Sequence, residues 1–247
     1  MANRGRYTRQ NLFFYDVARG GVSPSQSLWS DCPMLPWLCD PTLMHVYFND
    51  FHSANKATEE WILTQAVSGT AVAGTLAGGV FTLGAGATTN HQGPNVQLAG
   101  VDFVPAAGKD IWFEARVKVN VLTGRYFVGL AELDTTIIAS GAMTTDNHIG
   151  FSSLAGAGVV NLDSEKATAG LATTAVHTFV ADTYVKLGFK VSGVTSIQAY
   201  VNGVAVGDPN PTANVPIVGL TPSLVVHATG TGTPAMDIDW IRVAQLR

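Results

Sequence analysis

Hydrophobic and polar residues alternate most regularly over 111–120, "IWFEARVKVN". Ile111, Phe113, Ala115, Val117 and Val119 fall on one face, and Trp112, Glu114, Arg116 and Lys118 on the other. A period of two over this length predicts a half-buried antiparallel strand. "TYVKLGFKVSG", 183–193, repeats the pattern, with Val185, Leu187, Phe189 and Val191 inward and Tyr184, Lys186 and Lys190 outward. In "SIQAYVNGVAVGD" the alternation of Ile197, Ala199 and Val201 runs into Asn202-Gly203, a type I′ hairpin signal, before Val204–Val206 returns. Shorter strands are predicted at 45–51, 60–65, 78–83, 95–100, 125–133, 147–153, 158–163, 176–181 and 222–229. The last segment, "MDIDWIRVAQLR", breaks its own pattern. Met236, Ile238 and Trp240 share one face, but Ile241 and Val243 lie on the face of Asp237 and Asp239, so one continuous strand would bury part of both faces.

About a dozen strands, Gly-, Asn- and Pro-rich turns and no βα alternation define an all-β class, a sandwich or jelly roll of two antiparallel sheets. Residues 1–44 differ. Pro33, Pro36 and Pro41 interrupt them and no periodicity shows, yet they hold Phe13, Phe14, Tyr15, Trp29 and Trp37. A disordered tail is poor in aromatics. The expected organisation is an extended N-terminal arm with aromatic anchors, 1–44, and a sandwich domain, 45–247. Packed on its own sandwich, such an arm could also cover the second face of the last strand.

Composition narrows the function classes. The net charge is −4 and only 13% of residues are charged, with 26 Gly and 11 Pro. There is no basic face of the kind nucleic acid requires, no apolar run long enough for a membrane span, and a polar, arginine-rich start unlike a signal peptide. Four of the fourteen basic residues, Arg4, Arg6, Arg9 and Arg19, crowd the arm, as would suit an acidic partner surface or simply a solvated terminus. Cys32 and Cys39 could close a disulfide loop or stay as free thiols; they have no further His or Cys beside them for zinc.

"YFNDF" at 47–51, Trp61, "GGVFTL" at 78–83, "IWFEARVKV", "VKLGFKV", "IQAYVNGVAV" and "DIDWIRV" resemble the concanavalin A-like jelly roll of lectins, laminin-G-type modules and glucanases. "NDFHSANKATEEWILTQAVSGTA" with "PAAGKDIWFEARVKV" further resembles virion structural proteins of tailed bacteriophages, marine ones especially. That second resemblance implies a non-enzymatic capsid decoration or cement protein on the capsid surface of the virion, assembled in the host cytoplasm. Its partners would be the major capsid protein or other virion proteins. It would form a homo-oligomer, with three-fold axes of the shell favouring a trimer. The alternative is a carbohydrate-binding, lectin-like module displayed for host attachment. For it, the outward Trp112, Tyr184 and Tyr200 are the aromatics that could stack on a sugar or make a surface contact.

Catalytic chemistry finds little support at this level. Jelly-roll glucanases alternate acids along one strand, so that several enter one cleft. Glu132 and Asp134 share such a face but lack the third acid, and Asp237 and Asp239, a second i, i+2 pair, are explained by edge solvation or hydrogen bonds to a loop. The six histidines are scattered, and no nucleophile elbow, P-loop or dinucleotide motif occurs. The expectation is no catalytic residue, no cofactor and no assigned metal. The loops "DTT", "TTDNH" and "GDPNPTAN" carry oxygens that suit calcium, without a spaced ligand series.

Overall fold

The computed structural model describes residues 6–7, 12–13, 28–32, 42–52, 60–66, 68–73, 78–86, 88–100, 103–133, 136–154, 156–167 and 169–247. In chain order the strands are β1 Arg6–Tyr7, β2 Leu12–Phe13, β3 Met44–Asn49, β4 Trp61–Ala66, β5 Thr70–Ala73, β6 Phe81–Gly84, β7 Gly93–Leu98, β8 Ile111–Val119 and β9 Arg125–Ala131. They continue as β10 Ile138–Ala139, β11 Ala142–Met143, β12 His148–Ser153, β13 Val159–Lys166, β14 Gly170–Thr178, β15 Val185–Ser192, β16 Ser196–Val201, β17 Val204–Asn210, β18 Thr221–His227 and β19 Ala235–Leu246.

Two antiparallel sheets carry the fold. One has seven strands in the order β14-β13-β12-β9-β18-β7-β4. The other has eight: β17-β16-β15-β8-β19-β6-β5, with β3 also paired to β19. Their inner faces meet in one apolar core, including Phe113, Val117 and Phe189 from one sheet and Tyr126, Val128, Ile149, Phe151 and Leu224 from the other. Phe113 and Phe189, opposite each other on β8 and β15, stack at 4.7 Å. The jelly-roll sandwich expected from the alternation is the observed architecture.

The broken pattern of the last strand has a local cause. Between Ile238 and Trp240 the register of β19 against β8 shifts by a bulge, opposite Val117 and Arg116. A bulge inserts one extra residue and resets which face follows. Met236, Ile238, Ile241 and Val243 therefore all enter the one core. β19 is no edge: β8 flanks it on one side, β6 and β3 on the other.

The arm contributes separately. Leu28 is fully buried with Met44, Trp112, Tyr200 and Ala244 on the outer face of the eight-stranded sheet. It sits in a notch made by Gly188, where a Cβ would lie 2.4 Å from Leu28 Cδ2. Trp29 Nε1 donates to Glu114 Oε2 at 2.8 Å, and the Arg242 guanidinium lies 4.0 Å over the Trp29 ring. Trp112 Nε1 donates to Asp31 at 3.1 Å, and Lys190 bonds the same carboxylate.

Candidate active site

The segment 28–32 covers part of the outer face of the eight-stranded sheet, so the outer face of the seven-stranded sheet is the place to look for chemistry. Along β13, Val160 and Leu162 enter the core, and Ser164 points the same way, accepting a bond from the buried Asn210 at 2.9 Å. By alternation Asn161, Asp163 and Glu165 line the outer face. Glu165 and Asp163 are both nearly buried, 5% and 2% exposed. Two positions apart on a strand means Cα atoms about 6.6 Å apart, compatible with the roughly 5–9.5 Å carboxyl separations of paired glycosidase acids.

The neighbouring strands supply a polar wall. Opposite Asp163 stand Gly150 on β12 and Thr173 on β14; opposite Glu165 stand His148 and Leu171. The hydroxyls of Ser152 and Thr173 each donate to one oxygen of Asp163. That holds Asp163 as an oriented hydrogen-bond acceptor. Glu165 differs: burial, and then the charge of Asp163, push its pKa above the usual carboxylate range. His148 is fully buried, and its ring meets Phe127 edge-on at 5.9 Å. Nδ1 lies 2.9 Å from the Asp146 carbonyl, whereas Nε2 is buried without a partner among the described residues. Burial lowers its pKa against the opposing pull of the Asp146 carbonyl, Asp163 and Asp146, which favours the neutral ring. A neutral imidazole with a buried, unengaged nitrogen beside two acids can accept or relay a proton.

A strap crosses the same face. Between β9 and β12 the chain folds back as the β10–β11 hairpin, where Ser140 and Gly141 both take positive φ, 49° and 90°, as a two-residue type I′ turn requires. Ile137 and Ile138 seal onto Phe127, Ala131 and Val225. Gly129 and Gly150 make room underneath: a Cβ on Gly150 would lie 2.6 Å from the Phe127 ring. The ends of the strap are tied by Asn147 Nδ2 donating to Glu132 Oε2 at 2.8 Å, and Asn147 Oδ1 accepts from the Ala167 amide at 3.2 Å just beyond Glu165.

The residues singled out from the sequence are placed elsewhere. Trp112 and Tyr200 are 1% and 8% exposed, within the cluster that Leu28 joins. Tyr184 is partly exposed, with the Arg116 guanidinium 4.1 Å over its ring. Trp29 packs as described above. Arg6 and Phe13 pair in the backbone register of β1 and β2. Arg4, Arg9, Arg19, Phe14, Tyr15, Trp37, Cys39 and Asp134 lie outside the described residues. Cys32 is half-buried, and burial together with Asp31 pushes its thiol up to about 12. Glu132 serves the strap, while Asp237 and Asp239 pair with Lys118 at 3.0 Å and Arg116 at 2.5 Å. Among the described residues no group of three His, Cys, Asp or Glu side chains is arranged to hold a metal ion.

Asp163 and Glu165 were legible as an i, i+2 pair in "VVNLDSEK". Ending the predicted strand at 163 hid them, because it left Glu165 in a loop.

The fold that carries this pair is a two-sheet antiparallel jelly roll of the concanavalin A-like kind. No protein-family model and no curated protein matches the chain. Solved structures do. The Bacillus licheniformis beta-glucanase aligns with a TM-score of 0.58 at 12% identity, over 80% of this chain and 97% of its own. A beta-1,3-glucanase from Mycobacterium marinum gives 0.57 at 13%, over 80% and 97%. A protein of unknown function from Shewanella oneidensis gives 0.59 at 12%, over 83% and 87%. At such identities the likeness is one of fold.

These comparisons correct the functional expectation. The solved structures that align with the chain include glucanases and a protein of unknown function, and none of these is a virion protein, so the phage resemblance, and with it the capsid decoration role, does not stand. Its motifs, "GGVFTL" and "IWFEARVKV", encode strand alternation that any jelly roll of this kind shares. The expectation of a non-enzymatic chain is corrected on the same ground: solved enzymes, among them glucanases, share this fold, and Asp163 and Glu165 form an i, i+2 acid pair that a sequence reading centred on Glu132 and Asp134 passed over.

Proposed function

We propose that this chain is a carbohydrate-active jelly roll that takes a β-linked glucan at the outer face of the seven-stranded sheet and acts on a glycosidic bond beside Asp163 and Glu165. The observation that carries the reading is the nearly buried acid pair on one strand face with unequal environments. Two acids in different surroundings divide into a proton donor and a carboxylate. Glu165, whose pKa burial and then Asp163 raise, gives its proton to the glycosidic oxygen as the carbon–oxygen bond breaks. Asp163, oriented by Ser152 and Thr173, faces the positive charge that develops on the sugar carbon. A water then adds to that carbon, and its proton restores Glu165. His148 lies opposite Glu165 and can steady that proton.

A second reading, glycan binding by the same face, is favoured by one fact: both oxygens of Asp163 already accept hydroxyl bonds. One experiment separates the two. The protein is incubated with β-1,3-, β-1,4- and mixed-linkage glucans, and both reducing-end release and binding are measured. Release by the wild type that falls about a hundredfold or more in Glu165→Gln, with binding retained, supports hydrolysis. Binding without release supports recognition alone. If neither occurs, both readings fail.

A further inference from the structure

Arg125, the first residue of β9, alternates with Tyr126 and so lies on the same outer face as the acids. Arg116, Lys118, Lys190 and Arg242 each pair with a carboxylate. Arg125 has no such partner among the described residues. Its Nη1 is fully used: it donates to Asn90 Oδ1 at 2.7 Å and to the Ala228 carbonyl at 3.1 Å, and lies 3.4 Å from His91 Nδ1. These contacts fix the plane of the guanidinium. Among the described residues Nε and Nη2 have no acceptor, and Nε is buried. A buried donor without an acceptor is destabilising, because its lost water bonds are not replaced.

Other basic groups converge here. His227 stands directly opposite Arg125 on β18, nearly buried, with Nδ1 unpartnered. Burial and the adjacent Arg125 and His91 push its pKa down to about 4, so the neighbourhood disfavours further positive charge. The strap tip lies close by: a Cβ on Gly141 would lie 3.0 Å from Arg125 Nη2 and from His91 Cε1, so a side chain there would crowd Nη2.

We infer that Nη2 of Arg125, beside His91 and Asn90, receives the anionic substituent, carboxylate or sulfate ester, of an acidic glycan lying on this face. A charge-assisted hydrogen bond to such a group is what a guanidinium N–H provides. This inference rests on the glycan reading above and specifies the substrate class. The row of Asp163 passes through Gly150 and Gly129, four residues along β9 from Arg125 and two strands across. That is about 13 Å by 10 Å, so the charged group would be carried on a sugar a few units from the reacting bond.

The test is calorimetric titration of the full chain with four probes: a neutral β-glucan oligosaccharide, its sulfated and its uronate counterparts of equal length, and inorganic sulfate. A charged oligosaccharide should bind about tenfold more tightly than the neutral one, the worth of one charge-assisted pair. Arg125→Gln should abolish that gain and leave neutral binding unchanged. Arg125→Lys should restore only part of it. Asn90→Ala, at an exposed position, should reduce the gain in the same direction and guards against a folding defect at Arg125. Neutral binding with no gain from charge overturns this inference alone. A gain that survives Arg125→Gln does the same, as does inorganic sulfate binding as tightly as the sulfated sugar. No binding to any oligosaccharide overturns the glycan reading as well.

Discussion

At Glu165 the cost of burial falls on the charged form. Its pKa is raised in the folded protein, so the fold holds the proton more tightly than the unfolded chain does. Stability is therefore unpenalised below the unfolded carboxylate value, about 4.3, and declines as the pH rises through the folded value. Glu165→Gln removes the titration. Chemical denaturation should find the variant more stable than wild type at neutral pH, with the difference shrinking to nothing near pH 4. His227 works in the opposite direction. Its depressed pKa, about 4, means that protonation opposes folding, so its contribution is intact above about 6.5 and is lost as the pH falls from there towards 4. His227→Gln should flatten the acid limb of the stability curve between those limits. An acid limb unchanged by the substitution would show that His227 is no more shielded than an exposed histidine. Glu114 gives a third case. It is buried, held by Arg242 at 2.6 Å and Trp29 at 2.8 Å. Arg242→Ala leaves that carboxylate without its counter-charge and should cost about 3 kcal/mol in denaturant unfolding.

Among the elements, the strap and the arm segment decide which sheet faces are open. Leu28 fits over Gly188, where any side chain would collide with it. Gly188→Val should displace Leu28–Cys32 and expose Trp112, readable as a red-shifted tryptophan emission and a loss of about 2 kcal/mol, the burial of one leucine. Unchanged emission would mean that this segment does not depend on the notch. Elements also differed in how much their residues revealed. β8, β15 and the hairpin at Asn202-Gly203 were legible because one face is apolar and the other polar; φ is positive at both turn residues, 51° and 83°. β14 was caught only at its end, since "GLATTAVHT" lies at a sheet edge, alternating between exposed and half-buried, and needs little apolar contrast. β13 was cut short because Asp163 and Glu165 look like solvent-facing residues until β12 and β14 enclose them. The bulge in β19 left only an apparent contradiction in the pattern, as a one-residue register shift depends on β8 as much as on β19 itself.

For the molecule as a whole, the alternation led to the right architecture, while the function came from nowhere in the strand motifs. Motifs such as "IWFEARVKV" state only which face meets the core, and many proteins share that requirement. The candidate site joins β12, β13 and β14, distant from the segments that prompted a phage comparison. Its acids emerge only when the seven-stranded sheet is assembled. The central claim is that a glycan occupies this outer face. A crystal structure of the protein with a β-glucan oligosaccharide tests it most directly. The account predicts sugar density on the seven-stranded sheet, with a glycosidic oxygen within hydrogen-bonding reach of Glu165 and a ring carbon facing Asp163. Sugar bound instead at Tyr184 on the eight-stranded sheet, or no sugar at saturating concentration, would contradict it.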